Sequence, residues 1–476
     1  MTVVRPPAGG SLLRRLGPLD GAAVVVSNVI GGGILFTPPL VAAAVPRPGL
    51  FLSTWIAGGV LAFAGAMAYA ELAALLPRAG GEYVYLRAAY GRLAAFLTGW
   101  TSFVAGFSGA VAASAVVLAA YVGRFVPAAA DATPLFTIPV PVVPLVVSRQ
   151  ALVALSAIAL MSWIHLRGVG PGRVVGNLLA ALKVSALLIF IAVGFSAGAG
   201  SVSNLQQSAG PVGGAAWLLA LIPVMFTYSG WNAAAYLAEE VRQPERNVPL
   251  ALGLGTLAVI AIYGLLNLLY LYVLPVGELA QVQGSVLDVI ADRMLGLRAG
   301  DIMGIVSIIS IAASISAMTF AGPRVYYAMA RDGLFFRSAA RIHPHYQTPA
   351  VSIVAQAVWS GVLVLSGGAG ALTTYTGFAV ILFAGVAVAA LFVLRWREPA
   401  AVRPFKAWGY PLAPAVFAVA SLAIVANALW SDLLGPLTGG GAWGPSAAGL
   451  LIIAAGLPVY WWMSRGRAAS GQPSGI

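Results

Sequence analysis

The sequence predicts an all-α integral membrane protein with twelve transmembrane helices, and three observations predict it. Only 8% of the 476 residues are charged while 60% are hydrophobic, and the mean hydropathy is +0.92. A soluble domain carries about 25% charged residues, so this chain is built for a bilayer. Twelve apolar runs each approach the ~20 residues that a membrane-crossing helix needs. Two of these runs, the first and the sixth, are interrupted near their middles and stand at matching places in two halves of the chain.

The runs lie at about 20–45, 49–76, 92–123, 148–167, 174–196, 215–240, 248–274, 301–330, 349–366, 372–394, 411–434 and 446–464. The first follows a short basic stretch and is too long for the apolar core of a cleaved leader. With the N-terminus placed inside, the inside segments hold nineteen arginines and lysines. The outside segments hold five, Arg47, Arg124, Arg149, Arg293 and Arg298. That asymmetry predicts a multi-pass protein of the cell's inner (plasma) membrane with both termini in the cytoplasm. The net charge of +12 is then topological, and no nucleic acid partner is expected. The absence of cysteine excludes thiolate metal sites and a disulfide-linked partner subunit. The three histidines, His165, His343 and His345, fall at loop positions, so no metal and no cofactor is expected.

The first run reads "AAVVVSNVIGGGILFTPPL", with Gly31, Gly32 and Gly33 at its centre. Each glycine costs about 1 kcal/mol relative to alanine inside a helix, so the triplet marks a break. The sixth run, "WLLALIPVMFTYSGWNAAAYLAEE", carries Pro223 and then Ser229-Gly230 at a similar depth. Paired interruptions of this kind point to inverted repeats around a site at the bilayer midplane. Unwound backbone is tolerated there only where it lines a cavity or is buried in protein. Amides freed at the start of the second half-helix favour an anion, and carbonyls freed at the end of the first suit a cation. A zwitterion with carboxylate and ammonium on one carbon meets both ends. Glycines also let helices pack closely; the matching break in the sixth run turns the reading towards a ligand.

The stretches "VIGGGI", "AYAELAALLPRAGGEYVYLRAAYG", "FTYSGWNAAAYLAEEVRQPERNVP", "ARDGLF" and "RPFKAWGYPLAP" carry a resemblance. From about Leu19 to Pro414 the chain resembles the amino acid–polyamine–organocation (APC) superfamily, most of all bacterial relatives of the L-type amino acid transporters. The resemblance implies a LeuT-type fold. Its first inverted repeat would span 19–200 and its second 211–398, each with five helices. Two extra helices would occupy 399–465, with cytoplasmic tails at 1–18 and 466–476. It further implies that Ile30, Gly31, Gly32 and Gly33 bind the substrate carboxylate and part of the amine through backbone groups. Phe226, Thr227, Tyr228 and Ser229 would offer carbonyls to the ammonium. Phe226 would also close over the substrate from outside, and Trp231 and Asn232 would line the side-chain pocket.

The fifth run, "VVGNLLAALKVSALLIFIAVG", places Lys183 about nine residues, roughly 14 Å, inside the membrane. A lysine at that depth is expensive and faces a cavity or a polar partner. In the resembling family such a lysine lies where sodium-coupled relatives bind the ion. A fixed ammonium there would replace the cation, with the carbonyls near Gly31 and the hydroxyls of Ser314 and Ser316 as partners. Sodium coupling is therefore not expected. The expected pocket-facing parts of helices 1, 3, 6, 8 and 10 show no carboxylate, and Glu71 suits a structural role at the cytoplasmic end. These absences favour a neutral L-amino acid over a cationic one or a polyamine, and exchange over proton symport. "PRAGGEYVYLRAAYG" suits an interfacial helix, "EEVRQPERNVP" a surface charge latch, and 275–300 a set of short external helices. A channel would want a continuous polar path, and no metal cluster or paired intramembrane acid suggests an enzyme.

Overall fold

The computed structural model describes residues 12–141, 143–296, 298–367, 369–437 and 444–468. Of the tails expected at 1–18 and 466–476, residues 1–11 and 469–476 lie outside the described residues. The end of the bundle that holds Leu12–Gly17 is termed proximal below, and the opposite end distal.

The first apolar run divides into α1 (Pro18–Val29) and α2 (Gly33–Ala44), bent from each other by 51°. Pro18 stands in the first turn of α1, where its missing amide costs nothing. The Asp20 carboxylate accepts the Gly17 amide at 2.7 Å, which satisfies one of the donors a helix start leaves open. Next come α3 (Pro48–Leu75) and the short α4 (Glu82–Tyr90). A continuous span follows, built from α5 (Arg92–Thr101), a π turn (Ser102–Gly106) and α6 (Phe107–Val122). At the distal end a ribbon of β1 (Pro134–Ile138) and β2 (Leu145–Ser148) pairs antiparallel with Ile138 opposite Leu145. This ribbon is absent from an all-α expectation. The β1 side chains are exposed and those of β2 half-buried to buried. The ribbon lies almost entirely in the connection between the third and fourth apolar runs, where hydropathy predicts no element.

Helices α7 (Arg149–Leu166) and α8 (Val169–Ser196) complete the first half. The sixth run forms α9 (Ala216–Thr227), a turn through Gly230, and a 3₁₀ segment over Ala233–Glu240. Beyond it lie α10 (Pro244–Val273), the short α11 (Val276–Leu279) and α12 (Val286–Leu295), and α13 (Ala299–Arg331). The chain ends with α14 (Ala350–Leu365), α15 (Ala369–Arg397), α16 (Leu412–Leu437) and α17 (Pro445–Ala468). Each of the twelve apolar runs contains a helix. Nine described helices are long and apolar enough to cross a bilayer, and the bent pair α1–α2 makes a tenth. The remaining two, α9 with 12 residues and α14 with 16, fall short of that length by themselves. The molecule is thus an all-α membrane protein carrying one small β-ribbon.

What positions the site is the packing around the break. Helix α1 packs on α8, α10 and α13, and α2 packs on α9. Two interrupted segments therefore lie side by side, walled by continuous helices. Helix α4, expected at the membrane surface, is instead sealed into the proximal end, where Tyr83, Tyr85 and Leu86 are buried. Three aromatic or aliphatic side chains in one short helix gain more by burial than an interfacial position offers.

Candidate substrate site

At the end of α1 the carbonyls of Ser27 and Ile30 have no helical partner, because the chain turns before residues 31 and 34 can reach back. Lys183, fully buried on α8, donates from Nζ to both: to the Ser27 oxygen at 3.1 Å and to that of Ile30. The Ser314 hydroxyl joins the same two acceptors at 2.8 and 3.3 Å, and Ser310 donates to Ile30 at 3.3 Å. Tyr263 of α10 donates to the Val29 carbonyl at 2.9 Å. The Lys183 amino group thus sits at the negative end of the α1 dipole, where its hydrogens meet the open carbonyls, and ties α1 to α8. Ser316, expected beside Lys183, instead shares a 2.9 Å hydrogen bond with His165 Nε2. The reason is rotation: Ser310 and Ser314 are four residues apart on one face of α13, while Ser316 points towards α7. His165 is correspondingly buried at the end of α7 rather than exposed on a loop.

The other half of the break exposes donors. The amides of Gly31, Gly32, Gly33 and Ile34 have no backbone acceptor, and the three glycines line a cavity of about 340 Å³. That volume falls within the size of small-molecule sites. None of the three glycines needs a left-handed backbone; what they supply is space. A Cβ on Gly33 would stand 3.0 Å from Thr227 Cγ2, and one on Gly31 would stand 3.2 Å from Ser314 Oγ. Gly230 differs, for its φ of +102° is unsuited to other residues, and a Cβ there would meet Asn28 Nδ2 at 2.6 Å.

The residues expected in the second break divide into two groups. Phe226, Thr227, Ser229 and Asn232 line the cavity. Tyr228 and Trp231 do not; Tyr228 is buried against Trp55 and Tyr263, and Trp231 stacks edge-on against Tyr69 and Phe417. Trp231 follows the turn at Gly230, which rotates its indole away into the α3–α16 packing. The Ile30 side chain is buried as well, so its contribution lies in its carbonyl. Some carbonyls of the α9 end are already engaged, that of Phe226 by the Ser229 amide at 3.0 Å and that of Thr227 by Tyr263 at 3.3 Å. Phe226 keeps 39% of its surface exposed, so its ring is not closed over the site.

A carboxylate does line the cavity, and it comes from the α4 connection rather than from a span. Glu82 Oε1 accepts from Asn232 Nδ2 at 2.7 Å and from the Tyr236 hydroxyl at 2.9 Å. Burial lifts its carboxyl above the ordinary carboxylate range, against the opposing pull of these hydrogen bonds. Its signal in the sequence is the acid within "PRAGGEYVYL", which lies between the second and third apolar runs and so outside any span.

Beneath Glu82 the proximal end is closed. Arg324 of α13 and Glu240 form a bidentate pair at 2.7 and 3.0 Å, both side chains excluded from solvent. The Glu240 carbonyl accepts the Arg15 and Leu16 amides at 2.9 and 3.0 Å, which pins the chain leading into α1. Glu239 pairs with Arg331 at 2.9 Å and accepts the Ala79 amide at 3.0 Å. The charge latch expected at the surface is therefore half buried in the protein, and Arg324 is a second deeply buried cation besides Lys183. Glu71 is fully buried at this end, held by Arg395, Arg403 and the Ala407 amide.

Broken helices lie side by side, with the Lys183 amino group on the first carbonyl end and free amides on the following start, beside a small-molecule-sized cavity. A family profile described as amino acid permease matches residues 16–455, and the chain belongs to that family. The b(0,+)-type amino acid transporter 1 of Oryctolagus cuniculus is 31% identical over 403 residues, covering 84% of this chain and 80% of that protein. The corresponding protein of Homo sapiens is 30% identical over the same length and coverage. The large neutral amino acids transporter small subunit 2 of Mus musculus is 28% identical over 463 residues, covering 95% and 81%. The chain is an amino acid transporter of the APC superfamily and not an enzyme.

Proposed function

We propose that the protein exchanges neutral L-amino acids across the cell's inner membrane without sodium, by alternating access in a LeuT-type fold. The observation that carries this reading is Lys183, whose ammonium already occupies the carbonyls of Ser27 and Ile30. A sodium ion placed among those oxygens would meet a fixed positive charge. The repeats would span 19–200 and 211–398, with the proximal end cytoplasmic and α16 and α17 outside the repeat. The substrate carboxylate would sit on the amides of Gly31–Gly33 at the start of α2, and its ammonium on carbonyls at the end of α9. Phe226 would fold over the bound molecule, while Asn232 would meet its side chain. Neutral substrates are favoured because Glu82 is engaged by Asn232 and Tyr236. A relative whose name specifies large neutral amino acids supports the same choice. With no cysteine, any partner subunit would be held without a disulfide.

In this cycle the closed proximal end and the uncovered Phe226 correspond to a site open towards the outside. The test is uptake of radiolabelled L-alanine by sodium-free proteoliposomes, empty or preloaded with unlabelled alanine. Uptake confined to preloaded vesicles is the expected result. Equal uptake by empty vesicles, raised by an inward proton gradient, would replace exchange with proton symport.

A further inference from the structure

Glu82 is a buried acid that the transport cycle above leaves unused. Its carboxylate faces the substrate cavity and is held by neutral groups alone: Asn232 and Tyr236 from the chain following α9, with Thr98 on α5 and Tyr69 on α3 beside it. The titratable groups around it are Tyr69 on α3, Tyr236, and Tyr85 on its own helix. No lysine or arginine pairs with it among the described residues, although Arg87 on the same helix pairs with Asp332. The Tyr85 hydroxyl is buried without a hydrogen-bond partner. The nearest network below it, Glu240–Arg324, is self-contained and neutral overall. An acid enclosed by neutral groups is cheapest when it carries a proton.

We propose that Glu82 is a proton-binding site in the floor of the substrate cavity, occupied while the floor is closed and emptied when the floor opens. The position of Glu82 makes this a coupling device rather than a static one. It joins α4 to the segment Asn232–Glu240, and that segment carries both Glu239 and Glu240 of the proximal seal. Separating the floor exposes the carboxyl to water, where its affinity for a proton returns to the ordinary range. By linkage, the state with the higher proton affinity gains as pH falls. Low pH therefore holds the floor shut, and rising pH releases it. As the floor closes a Glu82 oxygen takes a proton from water, and as it opens the proton returns to water. The same proton is taken up and released on both legs of an exchange cycle, and no other bond changes. The idea rests on the alternating-access reading given above, and its test separates the two.

The chain's lack of cysteine allows a single reporter, Val117→Cys, on the α6 wall of the cavity. Right-side-out vesicles with equal internal and external pH are treated with a membrane-impermeant maleimide and no amino acid. The labelling rate is divided by that of the same reporter in Glu82→Gln, which cancels the pH dependence of the thiol itself. The expected ratio is near one at about pH 5.5 and falls about threefold or more by about pH 8.5. A ratio constant across that range overturns the proposal. Should Glu82→Gln fail to fold, Tyr236→Phe serves in its place. It removes a donor to the charged form, so the midpoint of labelling moves to higher pH; an unmoved midpoint is the overturning result. If saturating L-alanine leaves labelling unchanged at every pH, alternating access itself has failed; a flat pH ratio with an intact alanine effect fails Glu82 alone.

Discussion

Lys183 donates to two carbonyls that the end of α1 leaves open, and Ser310 and Ser314 donate to the same oxygens. Hydrogen bonds from a charged donor are worth about 1.5–3 kcal/mol each. Replacing Lys183 with alanine should lower equilibrium affinity for the transported amino acid more than tenfold, measured by radioligand binding to purified protein. An unchanged affinity would remove Lys183 from the site. Arg324 and Glu240 make the complementary case. Glu240→Gln strands a guanidinium in the protein interior and should cost about 3–5 kcal/mol, seen as a clear drop in apparent melting temperature. At this scale the sequence revealed depth better than direction. Lys183 was legible because a lysine nine residues inside an apolar run has no ordinary explanation. Ser316 was misdirected because its rotation about α13 was not weighed, though the four-residue spacing of Ser310 and Ser314 carried that information. Arg324 lies inside the eighth run but only seven residues before the end of α13, so Lys183 alone stood out as a cation deep in the membrane. Glu82 went unseen because its helix is short and lies between spans.

The broken helices are the element on which binding depends. In α1–α2 the break follows from composition, since three successive glycines weaken a helix wherever they stand. The second break was legible at Ser229-Gly230, but not the 3₁₀ segment after it, because "AAAYLAEE" has ordinary helix-forming residues. Its conformation is imposed by neighbours, with Tyr236 and Asn232 both turned to Glu82. Two substitutions distinguish strain from simple loss of glycine. Gly230→Ala meets both a positive φ and Asn28 at 2.6 Å, and should reduce alanine exchange at least tenfold. Gly49→Ala, where a new Cβ meets nothing within 4 Å, should leave exchange within twofold of the parent. Equal effects in the two variants would separate function from the geometry of this turn.

Across the whole molecule, the distribution of arginine was the strongest global signal, and it concerns orientation. In the cysteine-free chain, a single cysteine at Ser203 and one at Ser338 stand on exposed segments at opposite ends of the predicted topology. An impermeant maleimide applied to intact cells should label Ser203→Cys, and should reach Ser338→Cys only after permeabilisation. The reverse pattern would invert the assignment of the proximal end to the cytoplasm. The positions of the helices were legible from hydropathy, since each apolar run contains one, while nine of the described helices, or ten with the bent pair, are long enough to cross a bilayer. The β1–β2 ribbon was not, for it falls almost entirely in the connection between the third and fourth runs, where hydropathy assigns no element.

The enclosed pair of Glu240 and Arg324 also bears on the tempo of the molecule. Oppositely charged groups cannot be drawn halfway apart in an oily interior, since the partly separated state has lost its attraction and not yet regained water. Opening must therefore be abrupt, with hydration arriving as the groups part. The protein should dwell in discrete states and pass between them in rare, steeply temperature-dependent jumps. Such a barrier also guards against slippage: small thermal excursions would be too shallow to let solutes leak down their gradients.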